Sequence, residues 1–550
     1  MGLNLGRLAR TLRHLSTRQL VYQVYYRATR RLAAAPALVP RGATAPAWRT
    51  GSPLPDLHIR RGSIAFCAPA TFRFLNREVA FGSIDAIDWE FSAYGKLFSY
   101  NLNYFDWLLR APNPADARDT LEAYTRARPL RGNRYEPYPT SLRLVNWIAY
   151  YQTLGTPPPP SQLVALAEDW RGLFSKREYH LSGNHLLENR IALYIGAVVL
   201  GDSRVRVSTF EALVRELDAQ YLPVGLHYER SYTYHALLYL RLLYAYAIAA
   251  AISREVRGLD AHVATLGERL RAQLSALLFA LPEASGYPRF NDVDPQAPPR
   301  PRDLLALTAR IDPELPAAAR RDADAMSTCR YLASTGYWIV RAERYLLIAD
   351  AGPIGPDHIP GHGHCDALSF CLYDRRGREL LTDPGTSTYE VGAARQRERS
   401  TRHHNTVQVG HLEQAEIWGA FRIGRRMHVG VDACSPTRLD AHHDGYTAAN
   451  GPIHYRGFEV TPTTVTVVDR LRGGSRTTPA TARLHFGPDV GGVELRGGGG
   501  EGVGFSVSFE DDVSVCTGTY AYATGFNDVR EATVVEVGFA RRLTTTISLE

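Results

Sequence analysis

The chain has 550 residues, with 45% hydrophobic and 22% charged residues and a net charge of +7 at pH 7. This balance excludes a disordered chain, a collagen and a coiled-coil rod, and the length suits about two to four domains with cores that need no staples. The six cysteines (67, 329, 365, 371, 434 and 516) form no CxxC pair, so neither a disulfide scaffold nor a Cys-based zinc finger is indicated.

Taken in chain order, residues 1–35 read as a basic preface of two short amphipathic helices, the second capped by Ser16 or Thr17. Arg7, Arg10 and Arg13 interrupt any apolar signal-peptide core. Two readings stand for this segment: a solvated helical preface packed on the body, or a surface helix touching anionic lipid. Residues 36–55 are Pro/Gly-rich and read as an extended connection. Between 100 and 330 the apolar residues recur at three and four, in SLRLVNWIAYYQTL, SQLVALAEDWRGLF, NHLLENRIALYIGAVVLG and YHALLYLRLLYAYAIAAAI. TPPPP at 156–160 reads as a rigid loop between two of these helices. From about 331 the period shortens to alternating or β-branched runs: YWIVRAERYLLIAD, LSFCLYD, RELLTD, NTVQVG, GYTAAN, TTVTVVDRL, TARLHFG, GFSVSFEDD and TTTISLE. A helical half followed by a strand half predicts an α+β multidomain protein. No run of 18 apolar residues predicts a transmembrane helix.

All but two of the 63 basic residues, Lys96 and Lys176, are arginine. A basic excess favours anionic partners. With no helix-turn-helix or zinc-finger pattern and no basic run interleaved with aromatics, nucleic acid is not expected.

Three clusters carry chemistry. In GNHLLENR, Asn184, His185 and Glu188 share one helix face; the competing reading makes Asn184 a helix cap. In GLHYERSYTYHALLYL, Tyr228, Tyr232, His235 and Tyr239 follow helical spacing and Tyr234 sits on a neighbouring face; core packing and a sugar platform both fit. In PGHGHCDALSF, His362, His364 and Asp366 alternate, so an extended chain aims them to one side, and Gly361 and Gly363 admit close backbone approach. Asp383, His403, His404 and Asn405 follow. Histidines with a carboxylate form a plausible zinc set; the alternative is a loop braced by hydrogen-bonded histidines.

The ordered run YNLNYFDWLL, GNHLLEN, ERSYTYH, RFNDVD, HGHCDALSF, LLTDPGTSTY and RHHNTV, over roughly residues 90–430, resembles the heparinase II/III-like family of bacterial polysaccharide lyases, particularly members near exopolysaccharide gene clusters. The resemblance implies an incomplete N-terminal α/α toroid (56–328, after the preface and connection of 1–55) and a C-terminal antiparallel β-sandwich (329–550). It implies a lyase that cleaves a uronic-acid-containing acidic polysaccharide by β-elimination. In this reading Asn184 and His185 contact the substrate carboxylate, Tyr234 is the general acid and, for one substrate epimer, the base too, and His362 is the alternative base. Glu188, Arg399 and Tyr389 are placed at the substrate cleft, and His364, Asp383 and His404 hold a structural Zn2+, with His403 replacing His404 if the register slips. Tyr104, Asn146 and Trp147 match family landmarks without an assigned role. The bacterial cell envelope or periplasm is implied, with the cytoplasm left open. A glycan-binding protein without catalysis and a glycoside hydrolase using Glu229, Asp292 or Asp294 are the alternatives.

Overall fold

In the computed structural model, residues 5–29, 48–127 and 136–550 are described, except 53, 56, 58–63, 68–69, 112, 202, 283–285, 476–477, 491–493, 497–498, 503 and 511. The preface forms α1 (Leu5–Leu12) and α2 (Thr17–Thr29). Ser16 caps α2 reciprocally: its Oγ accepts from Gln19 N at 3.2 Å, and Gln19 Oε1 accepts from Ser16 N at 2.9 Å. Most of the Pro/Gly-rich connection, 36–47, lies outside the described residues. Both helices lie on the body. Arg7 and Arg10 reach Glu416 at 3.1 and 2.7 Å, Trp418 donates to Thr11, and Tyr22 packs on Tyr179. Packing on the body is what the structure shows of the two readings. The outer face keeps Leu5, Val21, Val24 and Tyr25 exposed.

A three-stranded meander follows: β1 (Ile64–Cys67), β2 (Thr71–Phe74) and β3 (Arg77–Ala80). Four-residue strands are too short to announce a period, which is why the sequence reading did not contain them. Phe66 and Phe72 lay their rings against Trp107 and close one end of the helical core.

The helical half runs α3 (Lys96–Tyr104), α4 (Pro114–Arg126), α5 (Pro137–Leu154), α6 (Pro160–Lys176), α7 (Gly183–Leu200), α8 (Ser203–Gln220), α9 (Tyr232–Ser253), α10 (Leu259–Ala280), α11 (Pro301–Ile311), α12 (Glu314–Asp324) and α13 (Thr328–Thr335). Prolines start α5 and α6, and Gly155 ends α5 in the left-handed region. Helices α5, α7 and α9 pack side by side and are buried nearly all round, with α6, α8 and α10 packed outside them. This double layer of helical hairpins is the incomplete α/α toroid. Among the described residues α9 alone is long and apolar enough to cross a membrane, and 72% of its apolar window is buried inside the protein.

The strand half begins with an antiparallel sheet of β4 (Tyr337–Arg341), β5 (Tyr345–Asp350), β6 (Phe370–Asp374) and β7 (Glu379–Leu381). Its alternation divides it between two cores. Ile339, Leu346, Ile348 and Tyr373 join the helical core, while Trp338, Leu347, Ala349 and Leu372 join the sandwich core. A sheet covered on both faces reads as continuous apolar runs, as these strands do. Beyond it, an eight-stranded antiparallel sheet with Val429–Cys434 at one edge faces a four-stranded sheet built on Asp528–Phe539. GYTAAN is a 3₁₀ turn at Thr447–Ala449 rather than a strand; the Tyr446 hydroxyl is anchored on the Val407 carbonyl and Asn450 turns left-handed. Cys329, on α13, forms a disulfide with Cys434 across 105 residues, a pairing no local spacing signals.

Candidate active site

Helix α7 opens with a tight approach to Glu229. Gly183 has φ +56°, and a Cβ there would collide with the Glu229 carboxylate. Asn184 lies one residue inside the helix rather than at its cap, and its backbone N–H donates to Glu229 Oε1 at 3.1 Å. His185 stacks on Tyr138 with centroids 4.0 Å apart and bonds Glu178 Oε1 through Nδ1 at 3.0 Å. Burial opposes charge on this imidazole, but Glu178, Glu229 and Glu188 outweigh it, and its pKa lies above the ordinary value. Glu188 is buried behind this surface, 3.8 Å from Arg241, because an inward helix face in an apolar core demands a counter-charge. It is therefore a core ion-pair partner and does not line a cleft.

Helix α9 presents one phenol to the same region. Tyr232, His235 and Tyr239 are core residues, Tyr228 precedes the helix, and Tyr234 is half-buried. The Ser231 hydroxyl caps α9 by accepting from Tyr234 N at 3.4 Å. The Tyr234 hydroxyl meets that of Tyr389 at 2.8 Å, and its ring lies over His362 with centroids 4.0 Å apart. Tyr389 packs between Phe421 and Phe526. Burial, then Tyr389 and Asp292, push the Tyr234 pKa well above the usual phenol value, so the phenol keeps its proton.

The strand half supplies His362 through a loop of turns, not a strand. Alternation still aims His362 and His364 together, because both end on one carboxylate: His362 Nδ1 bonds Asp292 Oδ2 at 2.7 Å and His364 Nε2 bonds Asp292 Oδ1 at 2.9 Å. Gly363 is indispensable, since a Cβ there would strike the Ile354 carbonyl, whereas one at Gly361 would make only ordinary contact. Asp366 is buried elsewhere, near Arg230 and Asp350. Burial alone would raise Asp292, but Arg395 and the two histidines hold it well below the carboxylate range. An ionised Asp292 accepts, so His362 carries its proton on Nδ1 and points Nε2 toward the buried Glu229, 3.6 Å from its Oε2. Burial raises the Glu229 pKa.

Arg395 is a residue the sequence does not single out, and Asp292 is singled out there only as a hydrolase carboxylate, not as the partner of two histidines. Arg395, on α14 (Ala393–Glu398), donates to both Asp292 oxygens and lies over Tyr389 and Phe421. The RFNDVD and RQRE segments were the available signals. Arg399 departs from its expected place at the cleft. It is fully buried and donates to the Gly363 and Ala420 carbonyls, which braces the loop carrying His362. Burial, then the charge of Arg395, lowers its pKa to about 10. Asn146 anchors the Tyr104 carbonyl and Asp106, and Trp147 is core.

His404 Nδ1 donates to Asp383 Oδ2 at 2.6 Å, which fixes the register against His403. His364 Nδ1 and His404 Nε2 are buried without a hydrogen-bond partner, on rings 5.3 Å apart. These two nitrogens suit a metal ion, with Asp383 placed to orient His404. No group of three His, Cys, Asp or Glu poised to hold a metal occurs among the described residues.

Tyr234 of the helical half thus meets His362 and Tyr389 of the strand half, and Glu229 links His362 to the start of α7, where Asn184 and His185 lie. Residues 327–548 match the family model described as "Heparinase II/III-like, C-terminal". The match spans the strand half and is a likeness to that domain. Solved structures extend the likeness over both halves. A heparinase III (BT4657 gene product) superposes with TM-score 0.60 at 15% identity, over 85% of this chain and 81% of that one. The heparan sulfate lyase HepC of Pedobacter heparinus, as a mutant, gives 0.55 at 17% identity, over 86% and 79%. At such identities the likeness concerns the fold: toroid and sandwich in the same order as in this chain. No curated protein matches in sequence.

Proposed function

We propose that this protein is a polysaccharide lyase that cleaves a uronic-acid-containing acidic polysaccharide by β-elimination, in exopolysaccharide metabolism. The single observation that carries this reading is the Tyr234 ring lying over the His362 imidazole, which Glu229 links to the start of α7 at Asn184 and His185. His185, whose pKa is raised, and the Asn184 amide offer donors to the sugar carboxylate. Neutralising that carboxylate favours the enolate-like state in which charge accumulates. His362 Nε2 takes the proton alpha to the carboxylate. As the C–O bond to the departing sugar breaks, Tyr234 gives its proton to the glycosidic oxygen and a C=C bond forms beside the carboxylate. Burial keeps Tyr234 protonated, which favours it as acid and His362 as base. The hydrolase alternative is weakened because Asp292 is committed to Arg395 and two histidines, so it has no proton to give.

The chain incubated with a panel of uronate polymers is expected to release unsaturated, ultraviolet-absorbing oligosaccharides. Tyr234→Phe should keep polymer binding and lose about 10²–10⁴-fold in turnover. Binding without any ultraviolet product in the native protein would leave the glycan-binding alternative.

Three further elements belong to this reading. Zinc held by His364 Nδ1 and His404 Nε2, with Asp383 supporting, would brace the strand-half loop and contribute to stability; elemental analysis of purified protein should give about one zinc per chain, and none in His364→Ala. The disulfide supports an oxidising compartment, such as the cell envelope. Exposed apolar residues of α1 and α2 beside Arg13 and Arg27 support peripheral contact with an anionic membrane.

A further inference from the structure

A cavity of about 350 Å³ opens on the outside of the helical half, lined by Arg177, Tyr179, Arg190, Ser208, Thr209 and Arg215 among others. None of its lining residues is acidic. The guanidinium groups of Arg18, Arg177 and Arg190 gather around the single ring of Tyr179, at 3.9, 5.2 and 5.4 Å from its centroid. Arg190 donates to the Tyr179 hydroxyl at 3.0 Å, yet the Nε atoms of both Arg177 and Arg190 are buried without a hydrogen-bond partner among the described residues. Arg215 reaches only its helix neighbour Glu211, at 3.8 Å, with both side chains largely exposed. Residues 30–47, which follow α2, contain no Asp or Glu and cannot supply the missing counter-charge. Elsewhere in this protein, the buried Arg143, Arg241 and Arg456 are matched by Asp169, Asp106 and Asp469, while Arg399 and Arg289 spend their donors on backbone carbonyls. Holding like charges together with unused donors costs free energy unless an anion completes the set.

We propose that this cavity is a binding site for an oxyanion, carried by a ligand of about one sugar unit and separate from the groove of Tyr234 and His362. The volume suits a single small ligand. Ser208 and Thr209 line the wall with their hydroxyls turned to the Val205 and Arg206 carbonyls, which leaves the arginines as the donors for a ligand. Arg190 lies six residues beyond Asn184 on α7, about 9 Å along the axis and on another face. Guanidinium forks accept the carboxylate of a sugar acid and free sulfate or phosphate alike, and the test separates these sources.

The test is calorimetric titration of the full chain with inorganic sulfate, with glucuronate and with glucose as the neutral control, repeated in Arg190→Gln and Arg215→Glu. Arg215 is largely exposed, so its variant is expected to keep the fold, to be checked by unchanged melting without ligand. Saturable binding of sulfate, glucuronate or both, weakened about tenfold or more in each variant and suppressed by salt, is the expected result. Glucuronate without sulfate identifies a sugar acid as the ligand; sulfate without glucuronate identifies a free oxyanion. No saturable binding of either anion, or binding that is equal in native and variant proteins, overturns the proposal. Because these readouts need no turnover, their failure is distinct from failure of the lyase reading, and Tyr234→Phe should bind as the native protein does.

Discussion

At the residue scale, the groove depends on carboxylates that touch no substrate. Asp292 fixes the tautomer of His362, joins it to His364 and is itself neutralised by Arg395. Glu178 does the corresponding work for His185, whose pKa it raises against burial. The sign of the resulting pH dependence follows. A raised pKa means the imidazolium is present below that pKa and lost as pH rises through it, so the alkaline limb of kcat/KM includes His185. In Glu178→Gln, burial dominates and the pKa falls; the alkaline limb should move to lower pH, with a loss of up to about 10²-fold above the shifted limb. A pH–rate profile with an unmoved alkaline limb would remove His185 from carboxylate recognition.

At the element scale, the preface is bound on one side and open on the other. Its inner contacts to Glu416, Trp418 and Tyr179 account for Arg7, Arg10, Thr11 and Arg18. Leu5 is 75% and Val24 68% exposed, which the protein body does not explain. If these helices rest on anionic lipid, Arg13→Gln with Arg27→Gln should weaken co-sedimentation with anionic vesicles by about 2 kcal/mol. Zwitterionic vesicles should show little difference; equal binding of native and variant protein to anionic vesicles rules the contact out. The α7 start shows how an element is fitted to its site: Gly183 is tolerated at a helix entrance because only a missing Cβ lets Glu229 approach.

At the scale of the whole molecule, arginines join the two halves. Arg230 crosses from the helical half to Asp350, and Arg289 donates to the Asp383, Pro384 and Ala523 carbonyls. The Cys329–Cys434 bridge adds a covalent tie between the last helix and the sandwich edge. Cys329→Ser should lower unfolding free energy by about 2–4 kcal/mol, given the long loop it closes, and denaturant unfolding under oxidising conditions measures this. The period of apolar residues determined by itself where helices give way to strands, because periodicity is local. The groups of chemistry-bearing residues were legible too, since polar side chains in apolar surroundings stand out in one dimension. Partnerships were not. That Glu188 faces Arg241, that Arg399 braces a loop, that Asp292 holds both histidines and that two lone cysteines meet all depend on contacts between segments far apart in the chain. Such contacts are set by packing of whole layers, and only the tertiary structure decided them.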